Sequence, residues 1–161
     1  MKRLLIFATS ILIIPLVVTA QKRKESSSNE PRAGGEQISE MTLERTPCFG
    51  TCPAYRVTLR RDGTATYVGL EYVERKGTYS GKFYGFERLA QLIEARGFFD
   101  LKDNYAINAT DLPSTITSVV RAGRRKTVNN YGGAGPLELW GIEEAIDGVV
   151  SNTKWQKVSD K

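Results

Sequence analysis

The two cysteines of the chain lie close together, in the segment Cys48-Phe49-Gly50-Thr51-Cys52-Pro53. Three intervening residues that include a glycine can form a turn tight enough to bring the Cα atoms of Cys48 and Cys52 within disulfide range, which predicts a structural disulfide. A thiol redox site is the alternative, but the spacing is not Cys-x-x-Cys, and Pro53 disfavours the helix N-terminus that would stabilise a thiolate. A zinc site would need carboxylates or a second chain to complete its ligands.

Histidine is absent from all 161 residues. Because histidine is the commonest general base and metal ligand, its absence excludes histidine-dependent triads and zinc motifs, and no cofactor is predicted. A hydrolase built around Asp111 is a further enzymatic alternative. The simpler interpretation is that Asp111 braces the turn before Pro113. A protein that is not an enzyme is therefore preferred.

Basic residues cluster near the last predicted turn between strands. Arg121, Arg124, Arg125 and Lys126 could contact a ligand or anion, such as an acidic glycan or a lipid headgroup. A solvated turn that protects a sheet edge is the alternative. The glycine-rich segment 132–136 precedes a predicted helix and could offer N–H groups to an anion, but it lacks the lysine and hydroxyl of a phosphate-binding loop.

Acidic and tyrosine side chains also have both structural and functional interpretations. Glu143, Glu144 and Asp147 fall on the polar side of the second predicted helix, which predicts solvated side chains and not a general acid–base pair. Several tyrosines fall in the predicted strands, where a tyrosine-rich sheet face would suit recognition of a protein or a glycan. Core packing is the expectation for Tyr55 and Tyr67.

The elements that must position these residues begin with four strands. Alternating apolar and polar residues predict these strands at 38–45, 55–60, 64–70 and 73–80. Asp62-Gly63 is typical of a two-residue hairpin turn. Apolar residues at helical spacing over 82–96 then predict a helix that ends at Gly97.

The second half of the domain adds strands and another helix. The segment 102–113 has no period and is long for a connection, so it is a candidate functional loop. Strands are predicted at 114–122 and 127–131, with a turn at 123–126, and a second amphipathic helix begins near Pro136. The order β-β-β-β-α-β-β-α predicts an α+β fold, in which a mainly antiparallel sheet carries two amphipathic helices on one face.

Residues 1–20 have the layout of a secretory signal peptide, with a basic start, an apolar run and a small-residue site at which cleavage after Ala20 is predicted. Residues 21–37 are polar and predict a disordered linker, which leaves a single domain at 38–158. The expected location is the periplasm or the extracellular space. The basic residues 22–24 oppose translocation, so an uncleaved N-terminal anchor is the alternative and the only expected membrane contact.

The motif Cys-Phe-Gly-x-Cys-Pro-x-Tyr at 48–55 carries a resemblance to a known family. With Asp62-Gly63, Tyr67-x-Gly69, the segment 110–113 (Thr-Asp-Leu-Pro) and a terminal amphipathic helix, the chain resembles DUF6438, a bacterial exported family of unknown function. The resemblance covers about residues 38–150. It implies the domain limits and bacterial export, and it implies no activity.

These observations together predict an exported binding or accessory module at the cell envelope. The sequence does not specify its partner, and an envelope protein or a glycan is expected. Nucleic acid is an unlikely partner because the formal net charge of +5 is modest and the chain is expected to leave the cytosol.

Overall fold

The computed structural model describes residues 37–159, which form a sheet of eight strands and two α-helices. The strands are β1 (Ile38–Arg45), β2 (Ala54–Arg60), β3 (Thr64–Glu71), β4 (Gly77–Lys82), β5 (Asn104–Tyr105), β6 (Ser114–Arg121), β7 (Arg124–Tyr131) and β8 (Lys154–Lys157). The helices are α1 (Phe86–Ala95) and α2 (Leu137–Asn152), and a short 3-10 turn, Phe98–Asp100, follows α1. The predicted signal peptide and all but the last residue of the predicted linker lie outside the described residues.

The strand order in the sheet is β5-β7-β6-β1-β2-β3-β4-β8. All neighbouring strands are antiparallel except β5 and β7, which are parallel. The predicted α+β class with a mainly antiparallel sheet is therefore confirmed. The predicted element order is wrong because it lacks β5 and β8, two edge strands of 2 and 4 residues that are too short to show a periodic pattern.

One face of the sheet packs against both helices. Because successive side chains of a strand point to opposite faces, the inward positions of neighbouring strands form cross-strand rows such as Val119, Met41 and Leu59. Buried apolar side chains from both helices complete the same core: Leu89, Ala90, Ile93, Leu139, Ile142 and Ile146. Trp155 of β8 donates from its Nε1 to the Val150 carbonyl at 2.9 Å, so it covers the end of α2.

Three connections differ from the predicted ones. The β2–β3 hairpin has a three-residue loop closed by a hydrogen bond from Gly63 N–H to the Arg60 carbonyl at 3.0 Å, and not a two-residue turn. Strand β4 begins at Gly77 and not at position 73, and the backbone of Arg75, before this strand, packs so closely on Gly69 that no side chain could fit at position 69. The β6–β7 turn consists of residues 122–123 alone, both with positive φ.

In the described part of the chain, no helix is long and apolar enough to cross a membrane.

Candidate functional site

Three loops meet at one end of the sheet. Strand β1 ends there at Arg45, whose cross-strand partners are Tyr55 at the start of β2 and Thr115 near the start of β6. The loop that follows β1 contacts the long loop before β6, because the Phe49 N–H donates to the Asp111 carbonyl at 3.1 Å. We call this region the loop end.

Cys48 and Cys52 lie at disulfide distance, with their Cα atoms 5.7 Å apart. The predicted pairing is therefore confirmed at the level of geometry. The bridge closes the loop that carries Phe49, whose side chain is 90% exposed. A disulfide here limits the conformations of a loop that presents a large apolar side chain to solvent.

Replacing both Cys48 and Cys52 with serine is expected to lower the free energy of unfolding by about 2 kcal/mol, because so short a loop gains only a small entropic stabilisation from its cross-link. Urea titrations of the variant, the oxidised protein and the reduced protein measure this. The reduced protein should match the variant. A loss above about 4 kcal/mol would mean that the disulfide stabilises other parts of the fold besides the loop that it closes.

A polar network lies beneath the loop end, between the sheet and α2. The Arg45 guanidinium donates to the Asp147 carboxylate through Nε at 2.9 Å and through a second nitrogen, and it donates to Thr115 Oγ1 at 3.0 Å. The Tyr55 hydroxyl donates to the other carboxylate oxygen of Asp147 at 2.5 Å. Burial and the contact with Asp147 raise the pKa of the Tyr55 phenol, which keeps it a donor. Asp147 thus joins α2 to two neighbouring strands.

A second pair in this network connects α2 to the glycine-rich turn. Asn130 of β7 donates from Nδ2 to both carboxyl oxygens of Glu143 at 3.1 Å, and its Oδ1 accepts the Gly135 N–H at 2.7 Å. Glu143 is only 5% exposed. Burial raises the pKa of Glu143 to about 7, although the hydrogen bond from Asn130 opposes this rise.

The prediction that the acidic residues of α2 are solvated is wrong for two of the three. Glu143 is buried and Asp147 is half-buried, whereas Glu144 is exposed. Two polar partners on the sheet, Arg45 and Asn130, donate hydrogen bonds to these carboxyl groups on the inward side of the helix. The signal in the sequence was Arg45 itself, since it occupies an inward position of its strand and a charge there requires a partner.

These carboxyl groups do not form an accessible catalytic pair. Asp147 is held in an ion pair with Arg45, and Glu143 has almost no exposed surface through which a substrate could reach it. Within residues 37–159, no group of three or more metal-ligating side chains converges. The network therefore has a structural role: its hydrogen bonds and its ion pair act as a brace that holds the loop end in place.

Two tyrosines predicted to pack in the core, Tyr55 and Tyr67, extend the packing around this polar network. Tyr67 is buried and Tyr55 is half-buried, and their rings stack with centroids 5.4 Å apart. Tyr72 and Tyr84 are exposed, so the structure does not gather the tyrosines into one recognition face.

The predicted basic cluster is divided by the sheet. Because β7 begins at Arg124, its successive residues point to opposite faces. Arg125 pairs with Glu40 at 2.7 Å. Lys126 instead donates to the carbonyl of Leu101 at 2.7 Å and to Asp103 at 2.5 Å. These two residues have intramolecular partners and do not form one surface.

The other two residues of the cluster lie together. Arg121 stacks on Phe99, with 3.5 Å between its guanidinium carbon and the ring centroid. Arg121 and Arg124 line the same cleft beside α1. This cleft is at the opposite end of the sheet from the loop end, since Arg121 pairs with Ile38, the first residue of β1.

Three N–H groups of the glycine-rich turn already have acceptors within the chain, so the turn does not present them to an anion. The Gly132 N–H donates to the Pro113 carbonyl at 3.0 Å, the Ala134 N–H to the Tyr131 carbonyl at 3.3 Å, and the Gly135 N–H to Asn130. Asp111 braces its loop, because its carbonyl accepts the N–H of Phe49. The turn and the loop are thus fixed by contacts within the chain.

Exposed apolar side chains gather at the loop end. Ile107 and Leu112 both pack over Gly132, so close that a side chain at position 132 would collide with Leu112, and Trp140 packs closely over Gly133. Leu137 lies one helical turn before Trp140 and is 78% exposed. Phe49 contacts the same long loop through its backbone. These residues form what we call the loop-end surface: Phe49, Ile107, Leu112, Leu137 and Trp140.

The comparison with family models supports the predicted family. The family model of the domain of unknown function DUF6438 matches residues 39–150, which is more than half of the chain. No curated protein matches the chain. The protein therefore belongs to the DUF6438 family, whose domain has no assigned function.

Proposed function

We propose that this protein is a non-catalytic binding module that acts outside the cytosol, at the cell envelope, and contacts a protein partner through the loop-end surface. The observation that carries the proposal is the exposure of Phe49 and Leu137, at 90% and 78%, at the same end of the sheet as three further part-exposed apolar residues. Contiguous apolar surface rimmed by polar groups is typical of interaction sites.

Rigidity of the loops supports a binding role. The disulfide pair, the Asp147 contacts and the Asn130 contacts hold three loops from below. A surface that is fixed before it meets its partner loses less conformational entropy on binding. The network thus favours a preformed site over a flexible one.

The composition of the surface favours a protein over a glycan. Three of the five side chains are aliphatic, Ile107, Leu112 and Leu137, and these pack well against apolar side chains of a partner. A glycan site would instead need flat aromatic rings with polar side chains around them to bond the sugar hydroxyls. The signal-peptide pattern of residues 1–20 supports export and hence an envelope partner.

Site-specific photo-crosslinking in intact cells tests the proposal. A photoreactive phenylalanine analogue replaces Phe49 or Leu137, and in a matched control it replaces Tyr84, which is 96% exposed but lies before α1. We expect one discrete cross-linked protein at positions 49 and 137 and none at position 84. The same species at all three positions, or cross-links to glycan alone, would contradict the proposal.

The surface residues should also be dispensable for folding. Replacing Phe49 with serine is expected to change the free energy of unfolding by less than about 0.5 kcal/mol, since the side chain buries little area in the free protein. Urea denaturation measures this change. A loss of 2 kcal/mol or more, on the scale of about one buried side chain, would place Phe49 in the fold and not on a binding surface.

A further inference from the structure

A polar cleft lies between α1 and the β6–β7 hairpin, at the end of the sheet away from the loop end. Its volume is about 540 Å³, which falls within the range of small-molecule sites. The cleft is bounded by α1, by the 3-10 turn and by the hairpin.

One wall of the cleft is acidic. Glu94 of α1 and Asp100 of the 3-10 turn both line it and are exposed. A third carboxylate, Glu87, is already bonded to Arg61 at 3.0 Å. Within residues 37–159, neither Glu94 nor Asp100 forms an ion pair, so both carboxylates are available to a cation.

Two basic side chains also line the cleft. Arg121 and Arg124 line it from the two strands of the hairpin. The ring of Phe99 fixes the Arg121 guanidinium by stacking, which leaves its edge N–H groups free to bond an anion. In the described part of the chain, neither arginine pairs with a carboxylate across the cleft.

We infer that this cleft binds a small zwitterionic ligand of the class of amino acids and short peptides with free termini. The ammonium group lies toward Glu94 and Asp100, and the carboxylate lies toward Arg121 and Arg124. Opposite charges that line one cleft without pairing are complementary to a molecule that carries both charges. A simple anion or a simple cation would satisfy only one pair of side chains and would meet repulsion from the other pair.

Isothermal titration calorimetry with alanine and trialanine on the folded protein tests the inference. We expect trialanine or alanine to bind, and we expect N-acetylation or C-terminal amidation of the bound probe to weaken binding at least about tenfold, because each removes one charge. Arg124→Ala and Glu94→Ala should each weaken binding to a similar degree. Both side chains are exposed, so these variants should remain folded.

Arg88→Ala is the matched control, because Arg88 is exposed on α1 but does not line this cleft. It should leave the affinity unchanged. Equal binding of the amidated probe would show a cation site only, and equal binding of the acetylated probe would show an anion site only. Either result, or no binding of either probe up to about 10 mM, would overturn the inference.

Discussion

Replacing Asp147 with alanine is expected to lower the free energy of unfolding by about 2–4 kcal/mol. The Asp147 carboxylate is the acceptor for both Arg45 and Tyr55. Its loss leaves a guanidinium that is only 28% exposed without its counter-charge. Removing one partner of a fully buried ion pair lowers the free energy of unfolding by more than this. The expected loss is smaller here because solvent still reaches part of the Arg45 guanidinium.

Glu144→Ala is the matched control for this variant. Glu144 lies 3.8 Å from the same guanidinium but is 75% exposed, so its loss is expected to cost less than about 0.5 kcal/mol. Urea titrations of both variants at neutral pH make the comparison. If the two substitutions cost the same, Asp147 would be an ordinary surface charge and the loop end would lack the brace described above.

Replacing Glu143 with glutamine is expected to stabilise the protein by about 2–3 kcal/mol at pH 8 and to have little effect at pH 4. Burial raises the pKa of Glu143 to about 7 from the model-compound value of 4.5. The folded protein therefore holds this proton more tightly than the unfolded chain does. The stability that the neutral side chain provides is complete below pH 4.5 and is lost as the pH rises to about 7.

Glutamine removes the ionisation but keeps an oxygen that accepts the hydrogen bond from Asn130. Its effect should therefore grow from pH 4 to pH 7 and then remain constant. Denaturation at a series of pH values, with the exposed Glu144→Gln as control, measures the difference between variant and wild type at each pH. A difference that does not change with pH would mean that folding leaves the pKa of Glu143 unchanged, and a loss of stability at pH 8 would mean that the folded protein stabilises the ionised carboxylate.

The sequence was sufficient to predict the elements that rest on a long local pattern. The alternation in 38–45 and 55–60 identified two central strands, and the helical spacing over 82–96 identified α1. These patterns are visible because one face of each element is apolar and buried. Edge strands β5 and β8 carry no such pattern, since their pairing depends on which neighbouring strand has a free edge.

The polar brace could not be predicted in full, because it depends on partners that are distant in the sequence. Asp147 and Glu143 lie on what a helical pattern marks as a polar side, and only the positions of Arg45 and Asn130 on the sheet make that side an inward one. An arginine at an inward position of β1 was the available signal. It required a carboxylate nearby but did not indicate which one.

The basic residues after Gly123 show how a small error in a turn changes a functional prediction. A turn over 123–126 would place three basic side chains on one solvated loop. The observed turn ends at Gly123, so Arg125 and Lys126 alternate along β7 and find separate acidic partners. The positive φ of Ala122, which its residue type does not suggest, permits this tighter turn.

Protein binding at the loop-end surface is tested by measuring the affinity for the purified partner identified by cross-linking at position 49. We expect Phe49→Ser to weaken this affinity at least about tenfold, as loss of a central apolar contact does, and Tyr84→Ser to leave it unchanged. Equal affinities for wild type and Phe49→Ser, with both proteins folded, would show that the loop-end surface is not the binding site.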